Sequence, residues 1–281
     1  MSHQRQGLSA NVSSDSQVLH SAPFARGLKD VHMTLTSGQF RTTNAILAGL
    51  PPEEFSRLRP LLTRMRLVPD QRLIESGQAT EHVFFIEEGI ASLMAETEDG
   101  SPGVQVAMIG REGLVGGLAL LGGSASYGCT VVQVPGPALR ITVANLLRCF
   151  EACPALRGAC LQYVQALTRQ VMSNAVSNVR HTLAERCVRW LLMAHDRMEE
   201  DDLPVTHEAL SAMLGVRRSG VTVATTALQG AGLIRTRRGH IRVLDRPGLE
   251  AVVSGRTSQR CTGDGSTPAA DGAGIAMEAG T

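Results

Sequence analysis

The chain has 281 residues, enough for two domains, and 43% of them are hydrophobic, which is sufficient for two apolar cores. Its net charge is only +1, its polar N-terminus shows no secretory signal, and no apolar run approaches the roughly 20 residues of a membrane span. The six cysteines have no disulfide-scaffold spacing. We therefore expect a cytoplasmic protein with reduced thiols and without a membrane partner.

Both ends of the chain have the composition of disordered segments. Residues 1–42 are rich in Ser, Gln, His and Gly, whereas residues 255–281 are small, polar and rich in Gly and Ala. Neither segment carries enough apolar surface to offset the entropy of ordering the chain. We predict that both lack a fixed structure.

Residues 43–143 predict a strand-rich domain. A helix starts at Pro51 and Pro52, and Phe55 and Leu58 lie on its apolar face. Short apolar runs separated by Gly, Pro, Asp and Glu follow at 65–68, 73–74, 82–86, 91–95, 104–109, 129–134 and 138–142. Many short strands at this spacing are typical of a sandwich or a barrel.

Residues 144–180 predict a short helix, interrupted at Pro154, and then a long helix over about 155–179. The long helix has an apolar stripe at three-and-four spacing, formed by Leu161, Val164, Thr168, Val171 and Ala175. Roughly seven turns of stripe exceed what one small domain covers, so we predict a seam between the two subunits of a homodimer. The alternative is a helix packed within one chain.

Residues 181–254 begin with a helix over 182–198 and then predict a helix, a glycine turn, a second helix and a hairpin, the order of a winged helix-turn-helix. Thr206 can cap the first helix of the motif, and Gly215 can adopt the positive φ of the turn. The second helix would start near Arg217 and turn Val221 and Leu228 inward, together with Ala224 and Thr225.

Positive charge is concentrated in this motif, because 205–246 contains seven arginines and two acids. Such a patch is typical of a nucleic-acid reader. Arginine reads guanine edges, threonine methyl groups contact thymine, and a basic hairpin tip suits phosphates. The candidate DNA-binding residues are Thr206, His207, Arg217, Arg218, Ser219, Thr222, Arg237 and Arg238. The alternative is a solvated basic face on an ordinary small domain.

Three motifs stand in a characteristic order within about 50–253: VFFIEEGIASLM, GREGLVGGLALLGG and, after the long helix, VTHEALSAMLGVRRSGVTVATTALQGAGLI. Together they resemble the Crp–Fnr superfamily of bacterial transcription regulators. The resemblance implies an α+β fold with an N-terminal double-stranded β-helix, a jelly roll of the cyclic-nucleotide-binding type, then a long dimerisation helix and a C-terminal winged helix-turn-helix. It also implies a homodimer that binds a two-fold symmetric operator in double-stranded DNA and contacts RNA polymerase.

The residues that bind cyclic AMP in this family are not matched here. Members that bind it carry a glutamate for the ribose hydroxyl and, later, an arginine–serine pair for the phosphate. Gly117 stands in place of the glutamate, and Tyr127 and Gly128 replace the arginine and the serine. Because an unpaired phosphate in an apolar roll is costly, we predict no tight cyclic-nucleotide binding. The candidate pocket for an unknown effector comprises Gly116, Gly117, Leu118, Tyr127 and Gly128, and no cofactor is indicated.

Other sensor chemistries have weak support. No cysteine precedes Cys129, unlike in iron–sulfur relatives, and Cys149, Cys153 and Cys160 lack the spacing of a metal knuckle. We interpret them as buried thiols and assign no metal site. His82 could be offered as a haem ligand, but a lone histidine in a strand is more often structural.

The second helix of the motif also departs from the family. Arg218 matches the first base-reading arginine, whereas Ser219 replaces a glutamate and Val223 replaces a second arginine. We expect the docking mode to persist on a different operator. A ligand-binding regulatory module without a DNA target is the rival hypothesis, and no P-loop, nucleophile elbow or zinc-helix motif favours an enzyme.

Overall fold

The computed structural model describes residues 42–96, 103–123 and 125–254. The two ends that we predict to be disordered, 1–42 and 255–281, lie outside the described residues except for residue 42. Two helices open the described part, α1 (Ala45–Ala48) and α2 (Pro52–Leu58), and a 3-10 turn (Arg59–Leu61) follows. Proline in the first turn of α2 suits a helix start, because its missing N–H would have no partner there.

The described part of the N-terminal domain contains eight strands and a second 3-10 turn (Gly117–Leu121). The strands are β1 (Thr63–Leu67), β2 (Arg72–Ile74), β3 (His82–Ile86), β4 (Ile90–Ala95), β5 (Val104–Ile109), β6 (Leu114–Val115), β7 (Cys129–Val134) and β8 (Gly136–Thr142). They form two antiparallel sheets, ordered β1-β8-β3-β6 and β2-β7-β4-β5. Phe85, Leu139 and Ile141 are buried in the core of this roll. The predicted β-roll is confirmed.

Two helices follow the roll, α3 (Val143–Ala152) and α4 (Pro154–Arg180). Because β5 lies at the edge of its sheet, its outer backbone groups need partners from elsewhere. Side chains of α4 supply two of them. The Gln170 side-chain oxygen accepts from the Met108 N–H at 3.2 Å, and Asn174 donates to the Val106 carbonyl at 2.9 Å. The long helix is thereby fixed against the roll.

The C-terminal domain contains four helices and three short strands. They are α5 (Leu183–His195), β9 (Asp202–Leu203), α6 (His207–Leu214), α7 (Arg218–Gly230), β10 (Ile234–Arg237), β11 (His240–Val243) and α8 (Arg246–Val253). Thr182 and Glu185 form a capping box at the start of α5. A separate apolar cluster, which includes Trp190, Val221 and Ile234, forms the core of this domain. The predicted winged helix-turn-helix is confirmed.

The two domains meet along β5. The Trp190 indole N–H donates to the Gln105 side-chain oxygen at 2.6 Å, and Gln105 in turn donates to the Ser92 hydroxyl at 2.9 Å. The turn between α6 and α7 also lies here, since a side chain added at Gly215 would collide with Val104. The DNA-binding domain is therefore docked on the roll by both polar and apolar contacts.

Candidate nucleic-acid interface

The turn between α6 and α7 has the local chemistry that the sequence predicts. The Thr206 hydroxyl accepts from the Ala209 N–H at 3.0 Å and so caps α6. Gly215 ends that helix at φ +64°, a conformation that costs glycine little. Arg217 occupies the N-cap of α7 in extended backbone. These features set the angle at which α7 leaves the domain.

The two faces of α7 differ as predicted. Val221, Ala224, Thr225 and Leu228 are buried against the domain core. The opposite face is exposed to solvent and contains Arg218, Ser219, Thr222, Val223 and Thr226. This face is mostly polar and carries positive charge at its N-terminal end, as expected of a helix that enters a major groove.

Arg218 has one ionic partner within the domain. Its Nε lies 3.7 Å from a Glu208 carboxylate oxygen of α6, and both side chains are about 70% exposed. An exposed ion pair of this kind contributes little to stability, because water screens it. Arg218 can therefore leave Glu208 for a base edge at little cost. In the absence of DNA, Glu208 keeps the Arg218 guanidinium near the start of α7.

His207 links α6 to α7. One ring nitrogen lies 3.3 Å from the Thr222 hydroxyl, and the other lies 3.3 Å from the Thr225 hydroxyl. The ring is half-buried. Both polar atoms of His207 are thus occupied by the neighbouring helix. This arrangement favours a role for His207 in orienting α7 over a direct contact with DNA.

Exposed arginines lie along the strands of the β10–β11 hairpin as well as at its tip. The register places Arg235 opposite Arg242 and Arg237 opposite His240, and all four side chains are exposed. Like charges directly opposite each other destabilise a hairpin, and an anion between them removes that cost. The alternation of side chains along a strand predicts from the sequence that Arg235 and Arg237 lie on the same face. The pairing of Arg235 with Arg242 depends on the register of the two strands, which the sequence alone does not give. Arg237 and Arg238 directly precede Gly239, which turns the hairpin at φ +79°.

One arginine of the basic segment does not belong to the exposed patch. Arg246 contacts the Asp196 carboxylate at 2.6 Å, the Glu250 carboxylate at 3.1 Å and a His195 ring nitrogen at 2.7 Å. These contacts tie α8 to the end of α5. The count of seven arginines in 205–246 therefore overstates the charge available to a ligand.

A small cavity of about 60 Å³ lies at the end of the roll, beside the second 3-10 turn. Its lining includes Gly116, Gly117, Leu118 and Tyr127 of the predicted pocket, but not Gly128. Tyr127 points largely outward, since it is 93% exposed. Among the described residues that line the cavity, none carries a charged side chain. The cavity offers hydroxyls from Thr80, Ser126 and Thr130 to a ligand, and no cation for a phosphate.

The loop before this cavity is fixed to the long helix. The Tyr163 ring packs so closely on Gly113 that any side chain at that position would collide with it. Burial raises the pKa of the Tyr163 phenol above its usual range. Val164 packs beside Gly117, again from α4. A conformational change in the loop that contains Gly113 and Gly117 would therefore be transmitted to α4 through these contacts.

The outer face of α4 differs from the predicted seam. Val164 is only 4% exposed and Val171 packs against the roll, so these two residues belong to the core of their own chain. Leu161, Thr168 and Ala175 are exposed as predicted. The exposed apolar stripe continues instead through Met172, Val176 and Val179. In the sequence, apolar residues recur at helical spacing on both the buried and the exposed face of α4, so their periodicity alone does not distinguish the two faces.

The described cysteines are buried. Burial raises the pKa of the Cys160 thiol to about 12 and that of Cys187 to about 11, and it also raises the pKa of Cys129 and Cys149. These thiols are protonated at neutral pH and are poor ligands or nucleophiles. Within the part of the chain that the structure describes, no group of three His, Cys, Asp or Glu side chains could hold a metal ion.

None of the helices in 42–96, 103–123 and 125–254 combines the length and the apolar character needed to cross a bilayer.

Two family models match the chain. Residues 64–153 match the cyclic nucleotide-binding domain, and residues 185–252 match the Crp-like helix-turn-helix domain. No curated protein matches the chain in sequence. The two matched segments correspond to the roll and to the winged domain, in the order that the sequence motifs predict.

Solved structures share the whole architecture at low sequence identity. FixK2 from Bradyrhizobium japonicum is similar with a TM-score of 0.59 and 15% identity, over 67% of this chain and 95% of that one. The c-di-GMP-responsive regulator CLP from Xanthomonas campestris has a TM-score of 0.58 and 17% identity, over 69% of this chain and 99% of that one. A Crp/Fnr-family regulator from Thermus thermophilus has a TM-score of 0.57 and 20% identity, over 68% of this chain and 98% of that one.

The structures establish the fold, and the family models establish the domain types. A cyclic-nucleotide-binding-type roll, a long helix and a Crp-like helix-turn-helix follow one another in a single chain. The chain therefore belongs to the Crp–Fnr superfamily of DNA-binding transcription regulators.

Proposed function

We propose that this chain is a homodimeric regulator that binds a two-fold symmetric operator and does not respond to cyclic AMP. The proposal rests on the exposed face of α7, which has Arg218 and Ser219 at its start and a basic hairpin beside it. Helix α7 would read bases in the major groove, and the hairpin would grip phosphates.

The outer stripe of α4 supports the dimer. Leu161, Thr168, Met172 and Val179 recur at the four- and seven-residue intervals of a two-stranded seam, and Met172 is 63% exposed. Methionine and valine side chains in an exposed row on one helix face are stabilised when a second copy of the helix covers them. The paired subunits would place two copies of α7 about 34 Å apart on DNA.

The cavity of the roll supports the negative part of the proposal. A cyclic phosphate placed there would lose its water without gaining a cation, which costs several kcal/mol or more. The hydroxyl and apolar lining suits a small neutral effector better. The roll would then act as a sensor for a different signal.

The test combines an unbiased selection with a measurement of mass. Genomic fragments bound by the protein are sequenced, and the mass of the free protein is measured by analytical ultracentrifugation at micromolar concentration. We expect a two-fold symmetric motif and a dimer. Met172→Glu should give a monomer that loses operator affinity, while Met172→Leu, its matched control, should behave as the parent. Monomeric parent protein, or no motif at all, would contradict the proposal.

A further inference from the structure

We propose that Val223 reads the 5-methyl group of a thymine in each operator half-site and so determines base specificity in the middle of α7. The inference rests on the proposed function, because it requires α7 to lie in the major groove. It goes further by naming the base and the group on that base.

Val223 is an apolar side chain that lies mostly in solvent. It is 71% exposed, whereas Val221, two residues earlier, is fully buried. Val223 lies on the same face as Ser219 and Thr226 in the three-and-four spacing of a helix. An aliphatic side chain at this place adds nothing to the core of the domain. A ligand with an apolar group is the contact that would bury it.

The hydroxyl of the neighbouring Thr222 is engaged by groups of its own domain. The Thr222 hydroxyl donates to the Arg218 carbonyl at 3.1 Å, one turn back in the same helix, and also lies 3.3 Å from a ring nitrogen of His207. Its single O–H donor is therefore used within the helix. Val223 is therefore the apolar side chain that this part of the exposed face of α7 offers, beyond the charged start of the helix at Arg218.

Only one base carries a matching group. In the major groove the 5-methyl group of thymine is the apolar feature of the base edges, whereas guanine, cytosine and adenine present hydrogen-bonding groups. A valine placed against guanine or cytosine would displace water from polar atoms without replacing the hydrogen bonds. Burying the valine against a thymine methyl removes apolar surface from water on both sides. Thymine is therefore the favoured base.

The position of that thymine follows from the length of the helix. Val223 is five residues beyond Arg218, which corresponds to about 7.5 Å along a helix axis. At 3.4 Å per base on one strand, this is about two base-pair steps. A thymine is thus expected within about three base pairs of the guanine assigned to Arg218.

The experiment compares thymine with uracil, which lacks the 5-methyl group. Each thymine of the selected operator is replaced singly by deoxyuridine, and Kd is measured by fluorescence anisotropy. One replacement per half-site should weaken the parent about fourfold, the value for one methyl group at about 0.8 kcal/mol. Val223→Ala should bind thymine and uracil operators alike. The control Val68→Ala, at an exposed valine of the roll, should keep the fourfold difference.

The outcomes separate this inference from the proposed function. Alanine favours helix more than valine does, so Val223→Ala will not unfold α7. Specific operator binding that ignores every uracil replacement would overturn the inference and leave the proposed function intact. So would a full methyl effect in Val223→Ala. Failure of the parent to prefer any DNA sequence would overturn both.

Discussion

Arg197 and Glu112 form a buried ion pair across the junction of the two domains. The closest nitrogen–oxygen distance is 2.7 Å, and each side chain is only 11% exposed. Glu112 lies in the loop that leads to the cavity of the roll, whereas Arg197 follows α5 of the DNA-binding domain. Arg197 also donates to the Met108 carbonyl of β5 at 3.2 Å. The orientation of the winged domain on the roll therefore depends on this pair.

We predict that Glu112→Gln lowers the free energy of unfolding by about 3 kcal/mol, because it leaves a buried guanidinium without its counter-charge. Denaturant unfolding followed by circular dichroism measures the change. The control is Glu199→Gln, which breaks the Arg111–Glu199 pair at the same junction. Glu199 is largely exposed, so its loss should cost under about 1 kcal/mol. Equal effects of the two substitutions would show that the buried pair does not hold the domains together.

We predict that Arg218→Ala weakens operator binding by about 1–3 kcal/mol and relaxes the preference at one position in each half-site. Its guanidinium is exposed and forms a weak, exposed ion pair with Glu208, so it can exchange this partner for guanine. Competition binding against all four bases at each position measures the preference. Arg66→Ala, at an exposed arginine of β1, is the control and should bind as the parent. An equal loss on operator and random DNA would assign Arg218 to phosphates instead.

We predict that Arg235→Ala, Arg242→Ala and Arg238→Ala each weaken binding to all sequences alike and reduce the salt slope by about one. The first two should also leave folding stability unchanged or slightly higher, because they relieve the repulsion between opposed arginines. Titrations at several salt concentrations and thermal unfolding measure both effects.

Arg246→Ala is the matched control for these three substitutions. Since Arg246 is engaged by Asp196, Glu250 and His195, its removal should lower stability and leave the salt slope unchanged. A full slope change for Arg246→Ala, or none for Arg235→Ala, would contradict the assignment of the basic face.

Local patterns in the sequence predicted much of the helix-turn-helix formed by α6 and α7. Helical periodicity identified the buried face of α7, and residue chemistry identified the cap at Thr206 and the turn at Gly215. Both depend on neighbours within a few residues. Contacts between distant segments were not predictable in the same way. The Glu112–Arg197 pair joins residues far apart in sequence, and Val164 is buried because the roll happens to pack against that side of α4.

We predict that neither cyclic AMP nor cyclic GMP binds with micromolar affinity. The described lining of the cavity has hydroxyls and apolar groups but no cation for the phosphate. Isothermal titration calorimetry on the full chain measures this directly. A catabolite activator protein that binds cyclic AMP serves as the positive control. Saturable heat with a micromolar Kd would mean that the phosphate has a partner outside the lining of this cavity.

We propose that two subunits, joined along α4, place their α7 helices in successive major grooves. The most direct measurement is the affinity of the selected operator after five base pairs are inserted between its half-sites. The insertion turns one half-site to the opposite side of the duplex. We expect the affinity to fall to that of an isolated half-site. Undiminished affinity would mean that the two recognition helices bind independently, and would contradict the proposal.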